Sequence, residues 1–321
     1  MNRRNFLKTS AAAAAFWNAV RPYGKAEAEE VSKTSTMPRR PYGDTGAELS
    51  VIGFGGIVVT DVEQTEANRI VAEAVERGVN YFDVAPTYGN AEERLGPALE
   101  PYRKNTFLAC KTTQRERGPA EEEFNRSLER LRTDHFDLYQ LHGLNTVEKD
   151  VDPVFVKNGV MDMLVEKQKA GQIYYLGFSA HTSEAALAAM DRFDFDSLMF
   201  PFNFAASYKG GFGPEVLARA QEKGVARIAI KAMARQRWPK DHPQRERFPK
   251  CWYQPTSERE EAEWALRWTL SLPVTAVIPP GDTALFRMAI EIAERFKPVT
   301  PEEEARLRTL AEDLDPVFKE A

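Results

Sequence analysis

The chain has 321 residues, 43% apolar and 28% charged, the composition of an ordinary globular protein. Its formal net charge of -5 gives no electrostatic reason to expect general nucleic-acid binding. Two cysteines, Cys110 and Cys251, allow one disulfide in an oxidising compartment but exclude a disulfide scaffold or a four-thiolate iron–sulfur cluster, and four histidines without HExxH or HxH spacing argue against a zinc site.

The first 28 residues read as a leader. Arg3, Arg4 and Lys8 precede a short apolar run from Ala11 to Trp17, and a small-x-small site follows at Ala26-Glu27-Ala28. The paired arginines followed by Asn5-Phe6-Leu7-Lys8 resemble the twin-arginine subclass of bacterial signals. That resemblance implies passage of the folded chain through the twin-arginine export machinery to the periplasm. A disordered basic tail is the alternative, and it gives no reason for the Ala-x-Ala ending. The apolar run is too short to span a bilayer and no long uncharged stretch follows, so no stable membrane span is expected. Cleavage would leave about 293 residues (29–321), enough for one barrel-sized domain or two ordinary ones.

Beyond Pro38 short β-branched or aromatic runs alternate with helical patterns. Strands are expected at Ser50–Gly56, Asn80–Ala85, Thr106–Thr112, Phe136–His142, Ile173–Ala180, Ser197–Asn203, Ala226–Ala232 and Ala276–Pro279. The first helical pattern places Ala67, Ile70, Val71, Ala74 and Val75 on one face and stops at Arg77-Gly78. Further helices are expected at Ala91–Leu99, Ala120–Leu131, Val160–Ala170, Glu184–Arg192, Glu215–Lys223, Glu258–Leu270 and Thr283–Phe296. Eight of each in alternation is the count of a (β/α)8 TIM barrel, an α/β fold. A doubly wound open sheet is the alternative, but no GxGxxG turn follows the first strand.

Two segments exceed that plan. The connection from Met233 to Ser257 is far longer than the ~2–6 residues usual for such loops, and it carries Trp238, Trp252 and Tyr253 among six basic residues. In a barrel it emerges at the catalytic face, as either a lid or a disordered insertion, and three aromatics favour the lid. An amphipathic helix at Thr300–Leu314 is expected to pack beneath or beside the barrel.

Reacting groups of such barrels sit at the C-terminal strand ends. In order these ends carry Asp83 and Tyr88 in "NYFDVAPTYG", Lys111 in "LACKT" and His142 in "LYQLHG". Any one alone is ordinary: half an ion pair, a half-buried aromatic, a rim histidine. Together, from three successive strands, they resemble the catalytic tetrad of the aldo-keto reductases, and that resemblance implies reduction of a carbonyl, which the chemistry of the four suits. Tyr88 would donate a proton to the developing alkoxide, Lys111 would stabilise its phenolate, Asp83 would hold the ammonium, and His142 would hydrogen-bond the carbonyl oxygen or relay a proton. In that family the tetrad is Asp, Tyr, Lys and His in that order; the likeness runs from "RPYGDTGAELSVIGFGG" to "VIPPGDT".

The resemblance implies an NADP(H) cofactor, with NAD(H) the alternative, across the barrel mouth. Gly55, Gly56 and Ile57 match the segment where backbone approaches the cofactor, and Ser179 matches a carboxamide ligand. The usual neighbouring asparagine is Ala180, the glutamine expected on the sixth strand is Met199, and Asn203 keeps the end of that motif. Ile230 replaces a tyrosine that stacks on the nicotinamide in many relatives, and Lys231 follows within reach of the pyrophosphate. At the 2′-phosphate end the chain offers Pro280, Gly281, Asp282 and Thr283, with Arg287 one place out of register; Thr283 and its helix N-terminus are the expected anion ligands there.

The expected function is reduction of a small-molecule aldehyde or ketone. A cofactor-binding or sensor barrel with negligible turnover is the alternative, motivated by the missing carboxamide and phosphate ligands. A hydrolase lacks GxSxG, zinc or paired-glutamate support. Free nicotinamide coenzyme is not expected in a periplasm, so an exported reductase would leave with cofactor tightly bound, use it once, or do something else, and export in the folded state permits the first.

Overall fold

The computed structural model describes residues 37–320. The leader and its cleavage site lie outside them. A hairpin comes first, β1 (Arg39–Pro41) antiparallel to β2 (Glu48–Ser50). Parallel strands follow: β3 (Phe54–Gly55), β4 (Tyr81–Asp83), β5 (Phe107–Thr112), β6 (Phe136–Leu144), β7 (Ile173–Ala180), β8 (Ser197–Pro201) and β9 (Ala226–Ile230). A second hairpin, β10 (Ala234–Gln236) with β11 (Gln254–Pro255), separates them from the eighth parallel strand, β12 (Ala276–Ile278). The sheet runs β12-β9-β8-β7-β6-β5-β4-β3. Its ends meet: Ile52 bridges Val277, Gly53 N donates to Val277 O at 2.9 Å, and Val277 N donates to Val51 O at 2.9 Å. The cylinder is therefore closed, as a (β/α)8 barrel requires and an open doubly wound sheet does not.

Helices α1 (Gln64–Glu76), α2 (Ala91–Leu99), α3 (Arg117–Arg130), α4 (Val160–Lys169) and α5 (Ser183–Arg192) take the expected places. The short α6 (Phe204–Tyr208) was not expected; α7 (Pro214–Glu222), α8 (Arg259–Ser271), α9 (Thr283–Glu294) and α10 (Pro301–Glu312) were. Strand side chains alternate between two environments. On β5, Leu108 and Cys110 join the layer between strands and helices, whereas Phe107 and Ala109 join a lumen cluster with Tyr81, Leu138, Met199, Ile228 and Ala276. Tyr42, Ala47 and Leu49 of the first hairpin complete that cluster, so the hairpin plugs the N-terminal end of the cylinder. This is why the expected strand at Ser50–Gly56 divides: Ser50 belongs to the plug, whereas Ile52 and Gly53 pair with Val277 and Phe54–Gly55 with β4 in the barrel wall.

The long connection carries the β10–β11 hairpin just beyond the end of β9. Trp238 Nε1 donates to Cys251 O at 2.8 Å, and Lys250 Nζ reaches Val58 O at 3.0 Å, just beyond β3 and two strands round the barrel from β9. Helix α10 packs beside the barrel on α6 and α8 through Leu307, Ala311, Phe204 and Trp268. The chain beyond it returns to the rim, where Arg237 N donates to Asp315 O at 2.9 Å. Both cysteines are buried free thiols, and the allowed disulfide is not formed. Among the described residues no helix is long and apolar enough to cross a membrane.

Candidate active site

Strand register builds the site. Asp83 of β4 lies opposite Ala109 of β5, and Lys111 of β5 opposite Gln140 of β6. Alternation then turns Tyr81, Asp83, Lys111 and Gln140 into the lumen at its open end. Lys111 Nζ makes an ion-paired hydrogen bond to Asp83 Oδ1 and donates to Val84 O at 3.0 Å. Asp83 Oδ2 accepts from Tyr81 OH at 3.2 Å and from Gln140 Nε2 at 3.1 Å. Both carboxylate oxygens are thus satisfied, which a pair this buried needs, since either charge alone would be strongly destabilising. The ammonium lies 5.2 Å from the centroid of the Tyr88 ring. Tyr88 and His142 meet edge to face, centroids 5.7 Å apart. The structure brings the four expected residues into one cluster.

Charge and burial set their protonation. Burial raises the Tyr88 phenol above its ordinary value, and the Lys111 cation partly offsets the rise. Burial pulls Lys111 down, but Asp83 and Tyr88 outweigh it and leave the ammonium above the usual lysine value. His142 falls to about 2, through burial first and then the cations Lys111, Arg115 and Lys231 together with His181. It is therefore a neutral imidazole at physiological pH. Its Nδ1 is buried with no hydrogen-bond partner, as is Gln140 Oε1, two polar atoms that the protein itself leaves unsatisfied.

The residues expected at a cofactor divide into two groups. Ser179 is buried; its Oγ accepts from Gly143 N at 2.8 Å, leaving its proton to donate. Lys231 stands at the end of β9 with a left-handed backbone (φ 63°) and aims its ammonium at the rings of Trp252 and Tyr253, 5.5 and 5.2 Å away. Asn203 is engaged by the protein instead. Its amide donates to Lys231 O at 2.9 Å and Ala234 O at 2.7 Å, and its Oδ1 caps α6 through Ala206 N at 3.0 Å. The glycines have internal reasons as well. A Cβ on Gly55 would meet Ile278, on Gly56 Val84, and on Gly281 the Ile57 side chain at 2.3 Å. At the expected phosphate end, Asp282 caps α9 by accepting from Ala284 N (2.9 Å) and Leu285 N (3.0 Å), placing a carboxylate beside Thr283 where an anion was expected. Arg287 forks onto Glu73, with Nε–Oε1 2.8 Å and Nη2–Oε2 2.7 Å. Ser179 and Lys231 thus keep donors, whereas Arg287 is taken up by Glu73 and Thr283 has the Asp282 carboxylate beside it.

Several neighbours escaped sequence reading. Tyr81 and Gln140 sit two residues before Asp83 and His142, and that spacing on a strand already places them on the same face. Phe318 gave no such signal. It arrives from the chain end to stack on His181, centroids 5.7 Å apart, and lies edge-on to Trp252 at 6.3 Å.

A family model for the Aldo/keto reductase family matches residues 51–284, and one for the TAT (twin-arginine translocation) pathway signal sequence matches residues 1–16. The chain is 30% identical over 181 residues to the uncharacterized oxidoreductase YqkF of Bacillus subtilis, 52% of this chain and 56% of that protein. It is 27% identical over 168 residues to L-galactose dehydrogenase of Arabidopsis thaliana, 48% of this chain and 51% of that protein. It thus spans about half the length of these curated relatives. Among solved structures, the holo form of aldo-keto reductase AKR11C1 from Bacillus halodurans superposes with a TM-score of 0.67 at 24% identity, covering 88% of this chain and 98% of that one. A closed eight-stranded barrel, with Asp83, Tyr88, Lys111 and His142 gathered at its mouth, accords with that match over residues 51–284. The chain belongs to the aldo/keto reductase family.

Proposed function

We propose that the protein is a nicotinamide-dependent oxidoreductase that reduces an aldehyde or ketone to an alcohol, with Tyr88 as general acid. The observation that carries this is the Asp83–Lys111 pair facing the Tyr88 ring beside a neutral His142. A nicotinamide, when bound, supplies the hydride. Negative charge then grows on the carbonyl oxygen, and a donor already aimed there lowers the barrier by an oxyanion-type effect. Tyr88 gives its proton to that oxygen, and Lys111, held charged by Asp83, stabilises the phenolate left behind. His142 is neutral, so it orients the oxygen by a hydrogen bond instead of by charge. Ser179 donates to the carboxamide. The hairpin from Ala234 to Pro255 serves as the lid, latched by Lys250 on Val58.

For the cofactor, the Asp282 carboxylate at the α9 N-terminus and the Glu73 clamp on Arg287 disfavour a 2′-phosphate. We infer that NADH is accepted at least as well as NADPH. Fluorescence titration of the mature protein with each, followed by their oxidation in the presence of broad aldehyde and ketone substrates, tests both statements. Binding and turnover support them; a protein that neither perturbs nor oxidises either coenzyme is not a reductase.

The match to a twin-arginine signal suggests export across the membrane in bacteria. We propose that residues 1–28 are removed, that the mature chain works in the periplasm, and that it leaves the cytoplasm with dinucleotide bound. An Arg3→Lys, Arg4→Lys double variant should stay in the cytoplasmic fraction, and native mass spectrometry of the exported protein should find a dinucleotide.

A further inference from the structure

The ammonium of Lys231 stands among groups that cannot neutralise it. Among the described residues it has no hydrogen-bond acceptor and no acidic partner, and its surroundings are two aromatic rings, Trp252 and Tyr253. Its carbonyl and the positive-φ turn it occupies are fixed by Asn203, so its placement is built, not incidental. Its field acts on His142 and His181, the tetrad side of the mouth, and both imidazoles are neutral. Of the other cations acting on His142, Lys111 is balanced by Asp83 and Arg115 by Asp150. Burial lowers the Lys231 ammonium to about 8, so it is mainly charged at neutral pH, and a cation with no acidic partner beside the tetrad is one that an anionic ligand would complete. The aromatic box holds the ammonium while that site is empty of anion.

Building on the reductase reading above, we propose that Lys231 anchors an anionic group of the substrate, and that the substrate class is a carbonyl compound bearing a carboxylate. The carbonyl oxygen rests between Tyr88 and His142 while the carboxylate meets Lys231. Phe318 and Trp252 offer an apolar wall for the body between them. The competing source of the same chemistry is the dinucleotide pyrophosphate. Lys231 ends β9, which pairs directly with β12, the strand leading to Asp282, so the test below separates the two sources.

The test compares 4-carboxybenzaldehyde with methyl 4-formylbenzoate, which differ only in charge at the far end. The wild type should prefer the acid by at least tenfold in kcat/KM. Lys231→Met should abolish the preference, lowering the acid at least tenfold more than the ester, with coenzyme affinity changed less than threefold; Lys231→Arg, which keeps the charge, should retain it. Equal preference in the wild type, or a Lys231→Met loss shared by both substrates with coenzyme affinity down tenfold, overturns the proposal and in the second case gives the ammonium to the pyrophosphate. Benzoate titration followed by tryptophan fluorescence needs no turnover. Saturable binding weakened at least tenfold in Lys231→Met supports the anion site even where both aldehydes are inert, a result that would sink only the reductase reading; equal benzoate affinity in the two proteins overturns the anion site itself.

Discussion

Tyr88 and His142 owe their protonation to opposite balances at one spot. Burial raises the phenol and Lys111 opposes it, so Tyr88 remains an acid past its ordinary value of about 10. Burial and a ring of cations hold His142 near 2, so it never gains a proton in the working range. The acid form of Tyr88 is the active one for reduction, and activity should disappear only as pH rises through its elevated pKa. The kcat/KM profile for an uncharged aldehyde should thus be flat from about pH 5 to 9, with a fall only beyond. A limb near pH 6.5 that His142→Gln abolishes would contradict the neutral imidazole. That Asp83, Lys111 and His142 would gather could be read because each is a chemistry-bearing residue near the end of an expected strand, with Tyr88 in the loop that follows Asp83. The roles of Asn203, Gly281 and Arg287 could not, because a motif position reveals a residue type and not its partner. Asn203 holds a turn, Gly281 makes room for Ile57, and Arg287 pairs with Glu73 of α1.

Elements were readable in proportion to their regularity. The period-2 runs of β5 to β7 and the amphipathic faces of α1 to α5 follow from burial on one side, which a sequence displays directly. The plug hairpin, α6 and the β10–β11 hairpin are short and gain their stability from distant contacts, which a local pattern does not display. The first hairpin illustrates this: Ser50 N donates to Asn80 Oδ1 at 2.7 Å and Asn80 Nδ2 to Glu48 O at 2.9 Å, bonds across thirty residues of chain. Asn203 performs the same service at the other rim, joining the start of α6 to the turn after β9. Asn203→Ala removes a helix cap and two buried bonds, so it should lower stability by about 2–3 kcal/mol in denaturant melts. It should also loosen Lys231. A variant as stable as wild type would show that this junction is held by something else.

The whole barrel carries a pH liability built into its mouth. His142 and His181 are neutral when folded, at about 2 and about 4, against an ordinary value near 6.5 when unfolded. Below that value the unfolded chain binds more protons than the folded one, so stability falls as pH drops from about 6.5 towards 4. Each imidazole contributes up to about 2 kcal/mol of this loss at pH 5. Thermal melts of the mature protein should therefore show a lower Tm at pH 5 than at pH 7.5, and His181→Gln should recover part of the difference. An identical pH dependence in the variant would remove that imidazole from the account. At the same scale the cylinder has one essential task, which is to carry three strand ends to a common rim so that Asp83, Lys111, Tyr88 and His142 act as a unit. The most direct test is single-turnover reduction of an uncharged aldehyde by the mature protein and by Tyr88→Phe, with coenzyme binding measured in parallel. The account predicts a loss of at least 10²-fold in rate, the scale of a missing general acid, with coenzyme affinity intact. An unchanged rate in Tyr88→Phe would contradict it.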